Sequence, residues 1–336
     1  MKKIKAVFVI LFAALLMCSF AACKTGEEAA PTATAIAPAP TELSTVPISA
    51  RISALKGPTG MGMAKLMEDG YQITLASAPD DVTAEIIKGS VDIAAVPVNL
   101  ASILYKKTGG EVQLAAVNTL GVLHLLENGN TVNSLSDLKG KTIYATGQGS
   151  TPEYALRYVL TQNGIDPDKD VTIEFLSEHA ELAAKMVSGD VKLGLLPEPN
   201  VTAVLKGNEN VRAAIDLSAE WDKAADGESK LTMGCIVVSK KFAQEHKAEL
   251  DLFLSQYQAS VQYVNQNVDA AAELIAKYEI VPSAAVAKSA IPKCNITFIA
   301  GEEMQTAAGG FLKVLFDANP TSVGGVLPDE NFYYKG

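Results

Sequence analysis

Short apolar runs separated by amphipathic stretches recur along most of the chain, and the alternation predicts strands each followed by a helix. Residues 48–55 have the apolar, β-branched character of a strand; Gly57-Pro58-Thr59-Gly60 is a turn, and a helix begins over 61–67. Ile73–Ala76 and residues 91–96 are further short strands, with a helix over 82–88 between them. The unit returns as a strand over 142–145, a Gly-rich turn at 147–152 and a helix over 153–162. Strand and helix in regular alternation point to an α/β fold.

A self-similarity sharpens this. Ile87-Lys88-Gly89-Ser90-Val91-Asp92-Ile93 leads to Val96-Pro97 and a helical run to Leu104. Val187-Ser188-Gly189-Asp190-Val191-Lys192-Leu193 leads to Leu196-Pro197-Glu198-Pro199 and a helical run to Leu205. Glycines, valines and prolines align at one constant offset, so each half carries the same helix, Gly turn, buried strand and Pro-bearing loop. Two such copies imply two α/β lobes with a cleft at the C-terminal ends of their sheets, where loops and helix N-termini converge. The apolar segments 112–126 and 231–238 suit the two crossings between lobes, which is where hinge bending is expected.

The first residues concern the compartment. Lys2, Lys3 and Lys5 precede an apolar run over 6–17, too short for a spanning helix. Ser19-Phe20-Ala21-Ala22-Cys23 has the pattern of a bacterial lipobox, with Phe20 where Leu is more usual. A signal peptide over 1–22 and a lipid on Cys23 follow as expectations. Residues 23–46 are dominated by Ala, Pro, Thr and Glu and cannot bury enough surface to offset their ordering entropy, so a disordered stalk is expected. The remainder divides into one lobe of 47–123 and 235–336 and a second of 124–234.

Composition adds limits. A formal net charge of −10 argues against a nucleic-acid partner. Of four cysteines, Cys235 and Cys294 remain in the body, and two buried thiols are expected rather than a bridge.

The Gly57-Pro58-Thr59-Gly60 turn, the Gly89-Ser90-Val91-Asp92-Ile93-Ala94 strand, the Leu196-Pro197-Glu198-Pro199 loop and the return segment resemble the nitrate/sulfonate/taurine and thiamine-precursor group of ABC solute-binding proteins. The tail, Ser322-Val323-Gly324-Gly325-Val326-Leu327-Pro328-Asp329 with Phe332-Tyr333-Tyr334, resembles a subset from Gram-positive bacteria. The resemblance implies the type II periplasmic-binding-protein fold, closure of two lobes on a small molecule, and delivery to an ABC permease and its ATPase. The lipobox at Cys23 leads to the expectation of a tether to the outer face of the cytoplasmic membrane, and a monomer is expected.

Position along this frame singles out ligand-binding candidates. Lys56, Pro58, Thr59 and Met61 lie where a strand runs into a helix N-terminus, Thr59 serving as cap, ligand donor or both. Gln148, Gly149, Ser150 and Thr151 form the matching loop of the second lobe, with Ser150 or Thr151 capping and Pro152 in the first turn. Pro97 and Asn99, and Pro197 with Glu198, follow the repeated strands; Asn99 is a cap or a contact. Glu198 between two prolines is held on a rigid loop, where a carboxylate suits a cationic or amine-bearing ligand. Asn118, Thr119, Met233 and Cys235 lie on the crossing segments, and Tyr154 is placed to wall the cleft. Trp221 and Tyr158 are expected to pack.

An enzyme is not expected. Only His124, His179 and His246 are present, none at metal-ligand spacing, and no nucleophile elbow or phosphate-binding loop occurs. His246 is expected in solvent and His124 in a structural role. No cofactor or metal is implied. A ligand-occupancy sensor lipoprotein, or an exported enzyme on the same fold, remains as an alternative. For the ligand, a small nitrogen heterocycle or amine ranks ahead of a sulfonate or other small anion.

Overall fold

The computed structural model describes residues 46–336. The expected signal peptide, Cys23 and the stalk up to residue 45 lie outside the described residues.

The chain opens with β1 (Ile52–Leu55), α1 (Pro58–Met61), α2 (Ala64–Glu68), β2 (Ile73–Ala76), α3 (Pro79–Ile87), β3 (Ile93–Pro97), α4 (Val98–Lys107) and β4 (Val112–Leu120). The second lobe follows with β5 (Leu123–Asn128), β6 (Thr142–Thr146), α5 (Thr151–Gln162), β7 (Thr172–Leu176) and α6 (His179–Ser188). It ends with β8 (Leu193–Pro197), α7 (Asn200–Gly207), β9 (Val211–Asp216) and α8 (Leu217–Ala225). The return brings β10 (Thr232–Ser239), α9 (Lys240–Glu245), α10 (Lys247–Gln266), α11 (Val268–Lys277), α12 (Ala284–Ala290), β11 (Ile296–Ile299) and α13 (Gly301–Ala318).

Two sheets form. The first runs β11-β4-β10-β3-β1-β2 and the second β7-β6-β8-β5-β9. Apart from β11 their orders match strand for strand: β2-β1-β3-β10-β4 against β7-β6-β8-β5-β9. In each, three strands are parallel and the fourth is antiparallel; that fourth strand is the one that follows a crossing between the lobes. The internal repeat is visible here: β3 and β8 occupy the same place in their sheets, and the turn glycines Gly89 and Gly189 both have positive φ, 66° and 85°. Only a residue without Cβ adopts that conformation at little cost.

Several element boundaries differ from expectation. The first strand starts at Ile52, because residues 46–51 run along α10 and are held by side chains: the Ile48 N–H donates to the Tyr71 hydroxyl and the Ser49 N–H to Glu249. The expected helix over 61–67 is two short helices broken at Gly62 and Met63. The Tyr257 hydroxyl occupies the space beside Gly62, where a Cβ would lie 2.6 Å away. The first crossing segment is not one strand but β4 and β5, separated by Gly121 and Val122. The expected lobe boundaries at 123/124 and 234/235 therefore fall inside β5 and β10.

α13 joins the lobes on one side. It packs on β4 and β10 of the first sheet and on α5 of the second lobe. Phe311 meets Trp221 at 5.7 Å between ring centroids, and Tyr158 meets the same indole at 4.5 Å. Trp221 is wholly buried and donates to Ser229 Oγ, so it is core, as its sequence context suggested. Burying Phe311 alone is worth on the order of 1.5–3 kcal/mol.

Candidate functional site

The strand-end residues of the first lobe converge on Gly234. Pairing places Pro97 of β3 and Thr119 of β4 on either side of Gly234 in β10. The Asn118 side-chain amide donates to the Thr59 carbonyl at 3.1 Å, and Thr119 Oγ1 donates to Asn118 Oδ1 at 3.0 Å. A Cβ on residue 234 would lie 2.5 Å from Asn118 Oδ1 and 3.0 Å from both Thr119 Oγ1 and Thr59 Oγ1. Three side-chain oxygens, two from β4 and one from α1, thus crowd one backbone position, and only glycine leaves room for them.

Around this niche the other candidates divide. Met61 is fully buried in the first lobe's core, whereas Lys56 is exposed. Pro58 begins α1 after Gly57, whose φ is +88°. Cys235 is buried and its thiol contacts the Val96 carbonyl at 3.4 Å, inside the sheet. Met233 is half-buried against the same core. Asn99 lies within α4 and turns to the C-terminal tail, its amide 3.5 Å from the Ser322 carbonyl. Tyr257 is a residue that strand-end reasoning could not find. It reaches from α10, far along the chain, and its fully buried hydroxyl lies beside Asn118, with burial pushing its pKa well above the ordinary phenol value.

In the second lobe, Gly147–Ser150 turns from β6 into α5 through two glycines of positive φ. Ser150 occupies the cap position, but its hydroxyl donates to the Gly147 carbonyl at 2.6 Å instead of capping the helix. Glu153, in the first turn of the helix, accepts from the Gly149 N–H at 2.7 Å and so ties down the turn without capping the helix. Gln148 is exposed and Thr151 buried. Tyr154 is buried, and its hydroxyl accepts from Asn319 at the end of α13 at 2.7 Å. His179, which the sequence argument set aside, begins α6 at the same strand-end rim. Its Nδ1 is hydrogen-bonded to Thr146 Oγ1, and burial holds its pKa below the ordinary imidazole value. Its signal in the sequence was position after a strand, not spacing to another ligand.

Glu198 sits where the lobes meet. It is 1% exposed; its N–H donates to the Val122 carbonyl at 2.9 Å, and Oε2 accepts from the Thr202 N–H at 3.0 Å. Oε1 has no hydrogen-bond partner, and neither has the equally buried Thr202 Oγ1. On the first-lobe side stands Cys294, whose thiol pKa is pushed well up by burial and by the Glu198 carboxylate. Cys235 and Cys294 are both free and buried.

Remaining groups stand apart. His124 lies in β5 with Nε2 3.9 Å from Asp216, and His246 is exposed beside Glu249 at 2.9 Å. A cavity of about 590 Å³ opens at the opposite end of the first sheet, among Arg51, Asp92, Lys107, Phe242 and His246, and contains none of the candidates. Among the described residues no group of His, Cys, Asp and Glu could hold a metal ion, and no helix is long and apolar enough to cross a membrane.

Comparison with known proteins bears on what this arrangement serves. No curated protein sequence matches. Among solved structures, an ABC transporter protein from Parabacteroides distasonis is 25% identical, with a TM-score of 0.73 over 87% of this chain and 99% of that one. The aliphatic sulphonate binding protein SsuA from Escherichia coli is 18% identical, with a TM-score of 0.65 over 83% and 92%. The nitrate-binding protein NrtA from Synechocystis PCC 6803 is 12% identical, with a TM-score of 0.52 over 76% and 74%. These likenesses establish the type II periplasmic-binding-protein fold that the sequence resemblance implied. A family model described as the phosphonate periplasmic substrate-binding protein of ABC transporters matches residues 63–265. The chain belongs to that family, the substrate-binding proteins of ABC importers.

Proposed function

We propose that this protein, anchored through a lipid on Cys23 outside the cytoplasmic membrane, captures a small zwitterion by lobe closure and hands it to an ABC permease. The ligand class is an amino-substituted phosphonate or sulfonate. One observation carries the nitrogen: Glu198 is 1% exposed at the lobe junction with a carboxyl oxygen that has no partner. An ammonium or amine N–H placed there forms a charge-assisted hydrogen bond with a carboxylate that the surrounding protein covers. The anionic end is supported by the relatives, and by the rim of Thr146, His179 and the Gly147–Thr151 turn at the start of α5. A neutral imidazole donor and free helix N–H groups favour an anion without a fixed cation.

The test is a thermal-shift titration of protein stripped by unfolding and refolding. The probes are 2-aminoethylphosphonate, 2-aminoethanesulfonate, their analogues lacking the amino group, and nitrate. Stabilisation must rise with ligand concentration. Shifts with the amino compounds, at least tenfold weaker affinity for the analogues and loss of that preference in Glu198→Gln support the reading. Equal shifts with and without the amino group, or with nitrate alone, sink the zwitterion.

A further inference from the structure

The repeat that relates the lobes runs on past the prolines at the same offset, so Lys107 and Thr108 after α4 correspond to Gly207 and Asn208 after α7. At these positions the two lobes differ. In the second lobe the ends of α6 and α7 close on each other. The Asn208 side-chain amide donates to the Met186 and Val187 carbonyls at 3.4 and 3.0 Å, and a Cβ on residue 207 would lie 2.8 Å from the Val187 side chain. Glycine at 207 is what lets the helix ends touch. In the first lobe Lys107 takes that position, and the Thr108 hydroxyl turns back to the Leu104 carbonyl of its own helix at 2.8 Å. Among the described residues no hydrogen bond links the end of α4 to the end of α3. The space left between them belongs to the cavity of about 590 Å³ at the foot of the first sheet.

That cavity is amphipathic. Ile86, Val112, Val237 and Phe242 give it an apolar wall, and Ile87 stands 51% exposed beside them. One exposed isoleucine means little by itself, but over a cavity within the ligand-sized range of about 300–1,000 Å³ it supplies apolar contact. The charges at the rim are unequal. Arg51 holds Asp92 through hydrogen bonds of 2.9 and 2.6 Å, Lys241 faces Glu245 at 4.0 Å, and His246 is taken by Glu249. Lys88 and Lys107 remain, against Glu111 alone, and none of these three is in an ion pair. A lysine near a helix C-terminus offsets the helix dipole. Lys106, like its counterpart Lys206, already does so in the last turn of α4, which leaves Lys107 without that role.

We propose that this cavity is a second binding site, separate from the cleft between the lobes, for a carboxylate on an apolar body such as a medium-chain fatty acid. The apolar body lies against Ile86, Ile87 and Phe242, and the carboxylate pairs with the Lys88 and Lys107 ammonium groups. The site lies wholly within the first lobe and does not depend on the solute held in the cleft.

The test is calorimetric titration of the protein with sodium octanoate below its micelle concentration, with NMR of the isoleucine methyl groups to place the ligand. Octan-1-ol offers the body without the charge, octylammonium reverses the charge, and acetate offers the charge without the body. Saturable octanoate binding that shifts the Ile86 and Ile87 methyls, at least tenfold tighter than any of these three, supports the site. Lys88→Glu, a surface change, is expected to weaken octanoate at least tenfold. Lys107→Gly together with Thr108→Asn copies the closed helix ends of the second lobe into the first and is expected to abolish binding. Binding that does not saturate, shifts spread over isoleucines of both lobes, equal affinity for octan-1-ol or octylammonium, or unchanged affinity in both variants overturns the proposal. Should the double variant fail to fold, seen as lost methyl dispersion, Lys88→Glu decides. Failure of the aminophosphonate and aminosulfonate probes in the cleft leaves octanoate binding as it is, so the two ideas fail separately.

Discussion

The Asn118 side chain donates a 3.1 Å hydrogen bond to the Thr59 carbonyl, tying the first crossing strand to the turn after β1. Asn118 is fully buried, and its Oδ1 accepts from Thr119, so one amide serves two elements. Truncating it strands the Thr59 carbonyl and the Thr119 hydroxyl away from water. Asn118→Ala is expected to cost about 1–3 kcal/mol, read from the denaturant midpoint at constant m-value. A change below the error of that measurement contradicts the tie.

Gly234→Ala places a methyl 2.5 Å from Asn118 Oδ1 and 3.0 Å from two threonine oxygens. Overpacking of this kind costs about 1–3 kcal/mol, although alanine is otherwise no worse than glycine in a strand. Affinity for any bound solute is expected to fall at least tenfold. Calorimetric titration showing unaltered affinity removes the niche from the site.

His179 gives stability a pH dependence. Burial lowers its folded-state pKa below the ordinary 6.5, so the unfolded chain binds the proton more readily. Its contribution is present in full above about pH 6.5 and is lost as pH falls through the lower folded value. His179→Gln is expected to flatten the slope of stability against pH just below 6.5. An identical slope in both proteins assigns the effect elsewhere.

Glu127 holds the start of the second lobe. Its buried carboxylate accepts from the Thr131 N–H at 2.8 Å, the Val132 N–H at 3.2 Å and Arg212 at 2.8 Å. Desolvation raises its pKa, but these donors outweigh it and hold the carboxyl below its usual range. Glu127→Ala leaves the Thr131 and Val132 amides unmatched, while Arg212 keeps the Gly129 and Val132 carbonyls, and is expected to destabilise by roughly 1–3 kcal/mol. Arg212→Ala in the same background is expected to add little, because the pair acts as a unit. Full additivity in a double-mutant cycle rules the coupling out.

The fold was legible because it is written in local terms. Turn glycines at 89 and 189, the buried runs after them and the prolines at 97 and 197 are consequences of sterics and burial within a few residues. Their repetition at one offset disclosed two equivalent lobes, and β3 and β8 hold equivalent places in the two sheets. The sequence by itself also singled out Thr59, Asn118 and Thr119, since strand ends are found by periodicity. What it could not contain is distance between remote segments. Gly234 became informative only when three oxygens met above it, and Tyr257 when α10 folded against the turn at Gly62. Asn99 turned to a tail more than two hundred residues away. Glu198 looked like a rigid loop carboxylate; that it is buried against Cys294 with one oxygen unpaired was decided by how the lobes meet. Periodicity is a property of neighbours in the chain, whereas desolvation and unmet hydrogen bonds belong to neighbours in space, and only the tertiary structure supplies those.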